Sequence, residues 1–115
     1  KVKTIVFAGH PGKLAKVIDG HWDTHSSKSP SALPAILKIA DNIFPSATNE
    51  KLHLSKTVEH LIQISKKLFI SDILFEAVAE KISRAVSGYL ENSLEVEVLL
   101  ADFKGQLIGQ AATHE

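Results

Sequence analysis

The chain has 115 residues, with 13 Lys and Arg against 13 Asp and Glu, and neither Cys nor Met. That length suits one domain with its own core. The missing thiols exclude disulfides, cysteine nucleophiles and thiolate metal sites, and leave a reducing cytoplasm open. Zero net charge argues against a general nucleic-acid binder or a polybasic membrane surface, and no apolar run approaches the ~20 residues of a membrane-spanning helix.

Thr4 to Ala8 (TIVFA) is β-branched, aromatic and without alternation. It predicts a strand covered on both faces, as in a parallel sheet. The strand starts almost at residue 1, with neither Met nor a signal-peptide pattern ahead of it. The chain therefore reads as a domain taken from a longer protein. Gly9-His10-Pro11-Gly12 stops the strand, and Leu14, Val17 and Ile18 predict a short helix over 13–18 with Gly20 as its C-terminal cap. His21 to Lys28 lacks periodicity and reads as a loop with Trp22 as its packing anchor.

Ser29-Pro30-Ser31 is a helix-start signal. Leu33, Ile36, Leu37, Ala40 and Ile43 then follow the helical i, i+3, i+4 rule until Pro45 ends the run. Residues 46–54 suggest no more than a helical turn. Thr57 is placed to cap a helix reaching about Lys67, and Ser71 to cap the longest helix. That last helix has Leu74, Ala77, Val78, Ile82, Ala85, Val86 and Tyr89 as its apolar face, and Asp72, Glu76, Glu80, Arg84 and Ser87 opposite. Glu95 to Leu100 alternates as a strand with one solvated face, Lys104-Gly105 is a turn, and Gln106 to Ala111 returns as its hairpin partner. The fold class is α/β, a Rossmann-like layered sheet with helices on both faces and a C-terminal β-hairpin. Three strands are few for such a sheet, whose mean is ~5–6, so a region N-terminal to Lys1 is expected to complete it.

Gly9 to Ser29 (GHPGKLAKVIDGHWDTHSSKS) is the densest polar segment, with three of the six His and three of the six Gly. It follows the C-terminal end of the first strand, the edge at which open α/β sheets bind ligands. Backbone N–H groups at the start of the following helix would favour an anion there, and Lys13 and Lys16 share a helical face. The spacing is neither a P-loop nor G-x-G-x-x-G. The simpler reading, in which Gly9 and Gly12 only make a tight turn and Lys13 is solvated, stands beside anion binding. His21 and His25 have H-x-x-x-H spacing, but Trp22 stands where a metalloprotease has Glu. A small histidine metal site drawn from His10, His21, His25 and Asp23 is the weakest option, and no metal is assigned. His53 and His60 read as surface residues, and Ser26, Ser27 and Ser29 lack the G-x-S-x-G nucleophile elbow.

The same segment resembles the C-terminal part of the CbiD family of anaerobic cobalamin biosynthesis. In that family a strand leads into G-H-x-G-K-L-x-K-L-A-x-G and then T-H-S. Gly9, His10, Gly12, Lys13, Leu14, Lys16, Gly20, Thr24, His25 and Ser26 match. Thr57-Val58-Glu59 is similar to a family T-V-E-E-A helix start, FEAVAEKISR over 75–84 to its last long helix, and Asp102-Phe103-Lys104-Gly105 to its D-x-x-G turn between closing strands.

The resemblance implies a cytoplasmic cobalt-precorrin-5B C(1)-methyltransferase, with S-adenosylmethionine as methyl donor and a cobalt-corrin precursor as substrate. It also implies a longer protein whose N-terminal region is a partner of this single domain, 1–115, which alone would be inactive. Nucleic acid and membrane are not expected partners. Gly9, His10, Gly12, Lys13, Lys16, Thr24, His25 and Ser26 are the implied substrate- or cofactor-binding residues, with no catalytic residue assigned. Lys13, Lys16, His10 and His25 are suited to corrin carboxylates; alternatively the glycine loop packs against the donor, with Asp19 or Asp23 on its ribose. A non-catalytic domain that binds a nucleotide or anion is the competing class.

Overall fold

A computed structural model of the chain describes residues 3–22 and 30–113. Strand β1 (Thr4–Gly9) runs into a single-turn helix α1 (Pro11–Leu14) and a 3-10 turn (Ala15–Asp19) that ends on Gly20 at φ 84°. Four helices follow: α2 (Leu33–Ile43), α3 (Ser46–Leu52), α4 (Val58–Lys67) and α5 (Ser71–Tyr89). Strands β2 (Glu95–Ala101) and β3 (Leu107–Ala112) close the chain as a hairpin. The sheet order is β1-β2-β3, with β1 parallel to β2 and β3 antiparallel to it. The architecture is α/β, with every helix lying in the crossover that makes β1 and β2 parallel.

Local chemistry explains the boundaries. Ser31 Oγ accepts from Leu33 N–H at 3.1 Å at the start of α2. Phe44, with Pro45 after it, takes an extended conformation that stops it. Thr57 Oγ1 accepts from His60 N–H at 3.0 Å and caps α4 as expected. Residues 46–54 do better than a turn, because α3 occupies Ser46 to Leu52. Ser71 does not cap α5. It is the first helical residue, Ile70 holds the cap position, and no side chain bonds there.

The core is a continuous cluster in which Ile36, Leu52, Leu61, Ile62, Leu74, Phe75, Val78, Val96, Val98 and Leu100 are fully buried. Helix α5 packs on β2 and β3 on one side and on α2 and the 3-10 turn on another. Its buried face is therefore wider than one stripe, taking in Phe75, Ala79, Ser83 and Ser87, while Tyr89 is 65% exposed. Helix and strand approach closely at Gly109 of β3. A Cβ there would lie 2.5 Å from the backbone carbonyl of Phe75, so only glycine lets helix and strand meet.

The expectation of helices on both faces of the sheet is corrected. Val96, Val98 and Leu100 are buried, whereas Glu95, Glu97, Leu99 and Ala101 alternate with them and are only half covered. In β1, Ile5, Phe7 and Gly9 are half-buried and Thr4, Val6 and Ala8 are exposed, Val6 by 52%. Among the described residues the helices cover one face. The apolar run of β1 therefore alternates in burial although it does not alternate in polarity, which is why the sequence pattern suggested a doubly covered strand.

Candidate functional site

At the C-terminal end of β1 the chain makes the turn that carries His10. Its Nδ1 accepts from Gly12 N–H at 2.9 Å, so the imidazole caps α1. An accepting Nδ1 leaves the proton on Nε2, and that N–H donates to Glu59 Oε1 at 2.8 Å. Both ring nitrogens are thus held by groups of the fold. Gly12 makes room for this: a Cβ would meet His10 Nδ1 at 3.0 Å and Val58 Cβ at 3.6 Å.

The expected anion site on the backbone of this helix start does not form. Pro11 has no N–H, Gly12 donates to the His10 ring, and Lys13 and Leu14 both donate to the His10 carbonyl at 3.0 and 3.1 Å. The turn satisfies its own donors.

Glu59, in the first turn of α4, ties three segments together. Besides His10, it accepts from Gln63 Nε2 at 2.7 Å and from the backbone N–H of Phe103 at 3.3 Å. Burial is the largest influence on its acidity and raises the pKa. The hydrogen bonds from His10, Gln63 and Phe103, with the attraction of the His10 ring, together outweigh burial and hold the carboxyl below its ordinary 4.5. The Phe103 ring stacks on His10 with centroids 4.3 Å apart and planes 28° from parallel.

Phe103 is presented by the Asp102–Gly105 turn, and the other end of α4 fixes that turn. Asp102 Oδ1 accepts from the N–H groups of Lys104 and Gln106, both at 2.9 Å, and Oδ2 accepts from Lys66 Nζ at 2.6 Å. Lys66 also donates to Gln106 Oε1 at 3.1 Å. The Lys66 bond, foremost, and the backbone bonds hold Asp102 below its usual carboxylate pKa despite burial. Gly105 completes the turn at φ 81°.

These groups border a cleft of about 490 Å³ whose lining includes His10, Gly12, Lys13, Lys16, Ser31, Lys56 to Glu59 and Phe103. Lys13 and Lys56 are exposed and Lys16 half-buried. Among the described residues the lining holds three lysines and one carboxylate, Glu59, whose oxygens accept three hydrogen bonds. A larger hollow of about 580 Å³ lies at the opposite end of β2, lined by Glu76, Glu80, Arg84, Glu95, Gln110 and their neighbours. It contains none of the residues expected at the site from the sequence, and its three carboxylates do not suit an anion.

Of the eight residues expected at the site, His10, Gly12, Lys13 and Lys16 line the cleft and Gly9 ends β1 beside it. A Cβ on Gly9 would meet only the Leu14 side chain, at 3.7 Å, so no backbone approach is forced there. Thr24, His25 and Ser26 lie outside the described residues, as does Asp23. Trp22 packs at a tilt against Tyr89 with centroids 4.2 Å apart, in keeping with an anchoring role. His53 bonds Asp41 at 2.9 Å, and His60 Nδ1 accepts from Lys56 N–H at 3.3 Å. Among the described residues no group of three His, Asp or Glu is placed to hold a metal, and no helix is long and apolar enough to cross a membrane. Sequence reading missed Lys56, Glu59 as a bridging carboxylate, and Phe103. The signal lay in the T-V-E and D-x-x-G matches, which marked these segments without giving them a shared location.

Comparison with known proteins agrees with the resemblance. Residues 23–112 match the family model described as CbiD, C-terminal domain. The cobalt-precorrin-5B C(1)-methyltransferase of Ralstonia nicotianae is 33% identical over 96% of this chain, and that of Syntrophotalea carbinolica 34% over 91%. That of Methanococcus aeolicus is 33% identical over 94%. The chain spans 29% of the length of each of these relatives. No solved structure gives a significant match. On the extent of the family match, the chain belongs to the CbiD family, as its C-terminal domain.

Proposed function

We propose that this chain is the C-terminal domain of an S-adenosylmethionine-dependent methyltransferase that methylates carbon 1 of cobalt-precorrin-5B in cobalamin biosynthesis, and that its cleft holds an edge of the corrin precursor. One observation carries the reading. Three segments far apart in sequence, His10–Lys13, Thr57–Glu59 and Asp102–Gly105, meet at one cation-lined cleft. They are segments that resemble the CbiD family.

Methyl transfer is an in-line displacement that depends on holding donor and acceptor in register. A corrin precursor carries several peripheral carboxylates, and Lys13, Lys16 and Lys56 suit charge-assisted hydrogen bonds to them. S-adenosylmethionine supplies the electrophilic methyl on a sulfonium, and that cation does not suit a cleft with three lysines. No contact to the donor is therefore assigned to these side chains. Gly12 and His10 shape the wall, and Gly9 sets the turn. Thr24, His25 and Ser26 stay as substrate-contact candidates from the same segment.

The exposed face of the sheet, with Val6 52% and Leu107 53% exposed, supports docking of the N-terminal region of the full-length enzyme. That region would extend the sheet past β1 in Rossmann-like fashion, and a cytoplasmic setting suits the pathway. Labelled methyl transfer tests the reading. The full-length protein should label carbon 1 of cobalt-precorrin-5B, and residues 1–115 alone should not. Absence of transfer by the full-length protein would sink it, and corrinoid binding without transfer would favour a non-catalytic anion-binding domain.

A further inference from the structure

We propose that the outer face of Phe103 is a stacking platform for the flat conjugated macrocycle of a polycarboxylate substrate, with Lys13 and Lys56 gripping the carboxylates at its rim. The proposal rests on the methyltransferase reading and adds to it the surface on which the acceptor lies. Phe103 is 74% exposed and does not belong to the buried core. One face of its ring is covered by His10 at 4.3 Å, and the residue lines the cleft while remaining largely exposed.

An exposed phenyl ring on a mobile loop would carry little meaning. This one is held at its backbone and on one ring face. Its N–H bonds Glu59, and the Asp102 side chain before it is fixed by Lys66, Lys104 and Gln106. The His10 ring behind it is fixed through both nitrogens. Such preorganisation lowers the entropy lost on binding, which is how a small aromatic surface gains affinity. An aromatic plane with the exposed Lys13 and Lys56 in the same cleft matches a conjugated ring with a carboxylate rim. The adenine of the methyl donor is also flat, but the donor's sulfonium would sit among those ammonium groups. The cleft's charge favours the polyanion.

The test is binding to the full-length protein of two probes, cobyrinic acid (a corrin with seven carboxylates) and S-adenosylhomocysteine. Phe103→Ala should weaken cobyrinic acid about tenfold, the scale of one aromatic stack, and Phe103→Leu by less. Neither should change the affinity for S-adenosylhomocysteine. Lys56→Gln, outside the stack, should weaken cobyrinic acid about threefold and flatten its salt dependence, which tests the site even if the Phe103 variants fold poorly. Unchanged cobyrinic acid binding in well-folded Phe103→Ala, or in Lys56→Gln, overturns the platform while leaving the methyltransferase reading intact. Loss of S-adenosylhomocysteine in place of the corrin moves the platform to the donor and overturns the assignment. Wild-type protein that binds neither probe overturns both.

Discussion

Glu59 joins helix α4, the His10 turn and the Phe103 turn through one carboxylate, and its acidity makes that role measurable. A carboxyl whose pKa is depressed on folding adds stability above its unfolded value and loses it as pH falls through the folded value. For Glu59 the contribution is complete above about 4.5 and fades below it; for Asp102 the corresponding limit is 3.8. Glu59→Gln should therefore flatten the acid limb of the stability curve below about pH 4.5, as read by urea unfolding at a series of pH values. A variant with the same acid limb as wild type would remove Glu59 from the network. His10→Ala loses a helix cap and a ring stack together, and should cost about 1–2 kcal/mol in the same assay; a loss below ~0.3 kcal/mol would contradict the bonding described. At this scale the sequence revealed Lys13 and Lys16, because helical spacing is local. It could not reveal that Glu59 faces His10 across 49 positions, since no periodicity encodes a tertiary hydrogen bond. It also suggested N–H groups open to an anion, which Pro11 and the His10 cap preclude.

The elements were the most legible part, and their misses have packing causes. Thr57, Pro45, Gly20 and the Lys104-Gly105 turn marked boundaries through local chemistry that tertiary contacts did not override. The face of α5 was read too narrowly because the helix packs on two surfaces, which buries Phe75 and Ala79 beyond the single stripe. Gly109 gave no sequence signal of its importance. Gly109→Ala drives a Cβ into the Phe75 backbone and should cost about 3 kcal/mol, at the upper end of overpacking, by denaturant midpoint. Near-wild-type stability would mean that α5 and β3 separate easily. Phe69 offers the opposite experiment. It ends α4 with φ 60° and is 94% exposed. A β-carbon in the left-handed region costs roughly 1–2 kcal/mol that glycine avoids. Phe69→Gly should accordingly raise stability by about 1 kcal/mol. A fall would show that the ring makes a contact worth more than the backbone strain.

For the whole molecule, the α/β class and the closing hairpin were evident from the order of apolar runs. The coverage of the sheet was not, because TIVFA is apolar whether one face is packed or two. What the structure adds is a direction. Helices cover one face, Val6 and Leu107 lie exposed, and the cation-lined cleft opens where β1 ends. If the CbiD-family domain uses that cleft to hold its anionic acceptor, its lysines act on substrate affinity rather than on the chemical step. The most direct measurement is the KM for cobalt-precorrin-5B of the full-length enzyme carrying Lys13→Glu and Lys56→Glu together. The account predicts a KM raised at least tenfold, with kcat within about twofold of wild type and an unchanged KM for S-adenosylmethionine. An unchanged KM for the corrin precursor in a folded double variant would contradict it.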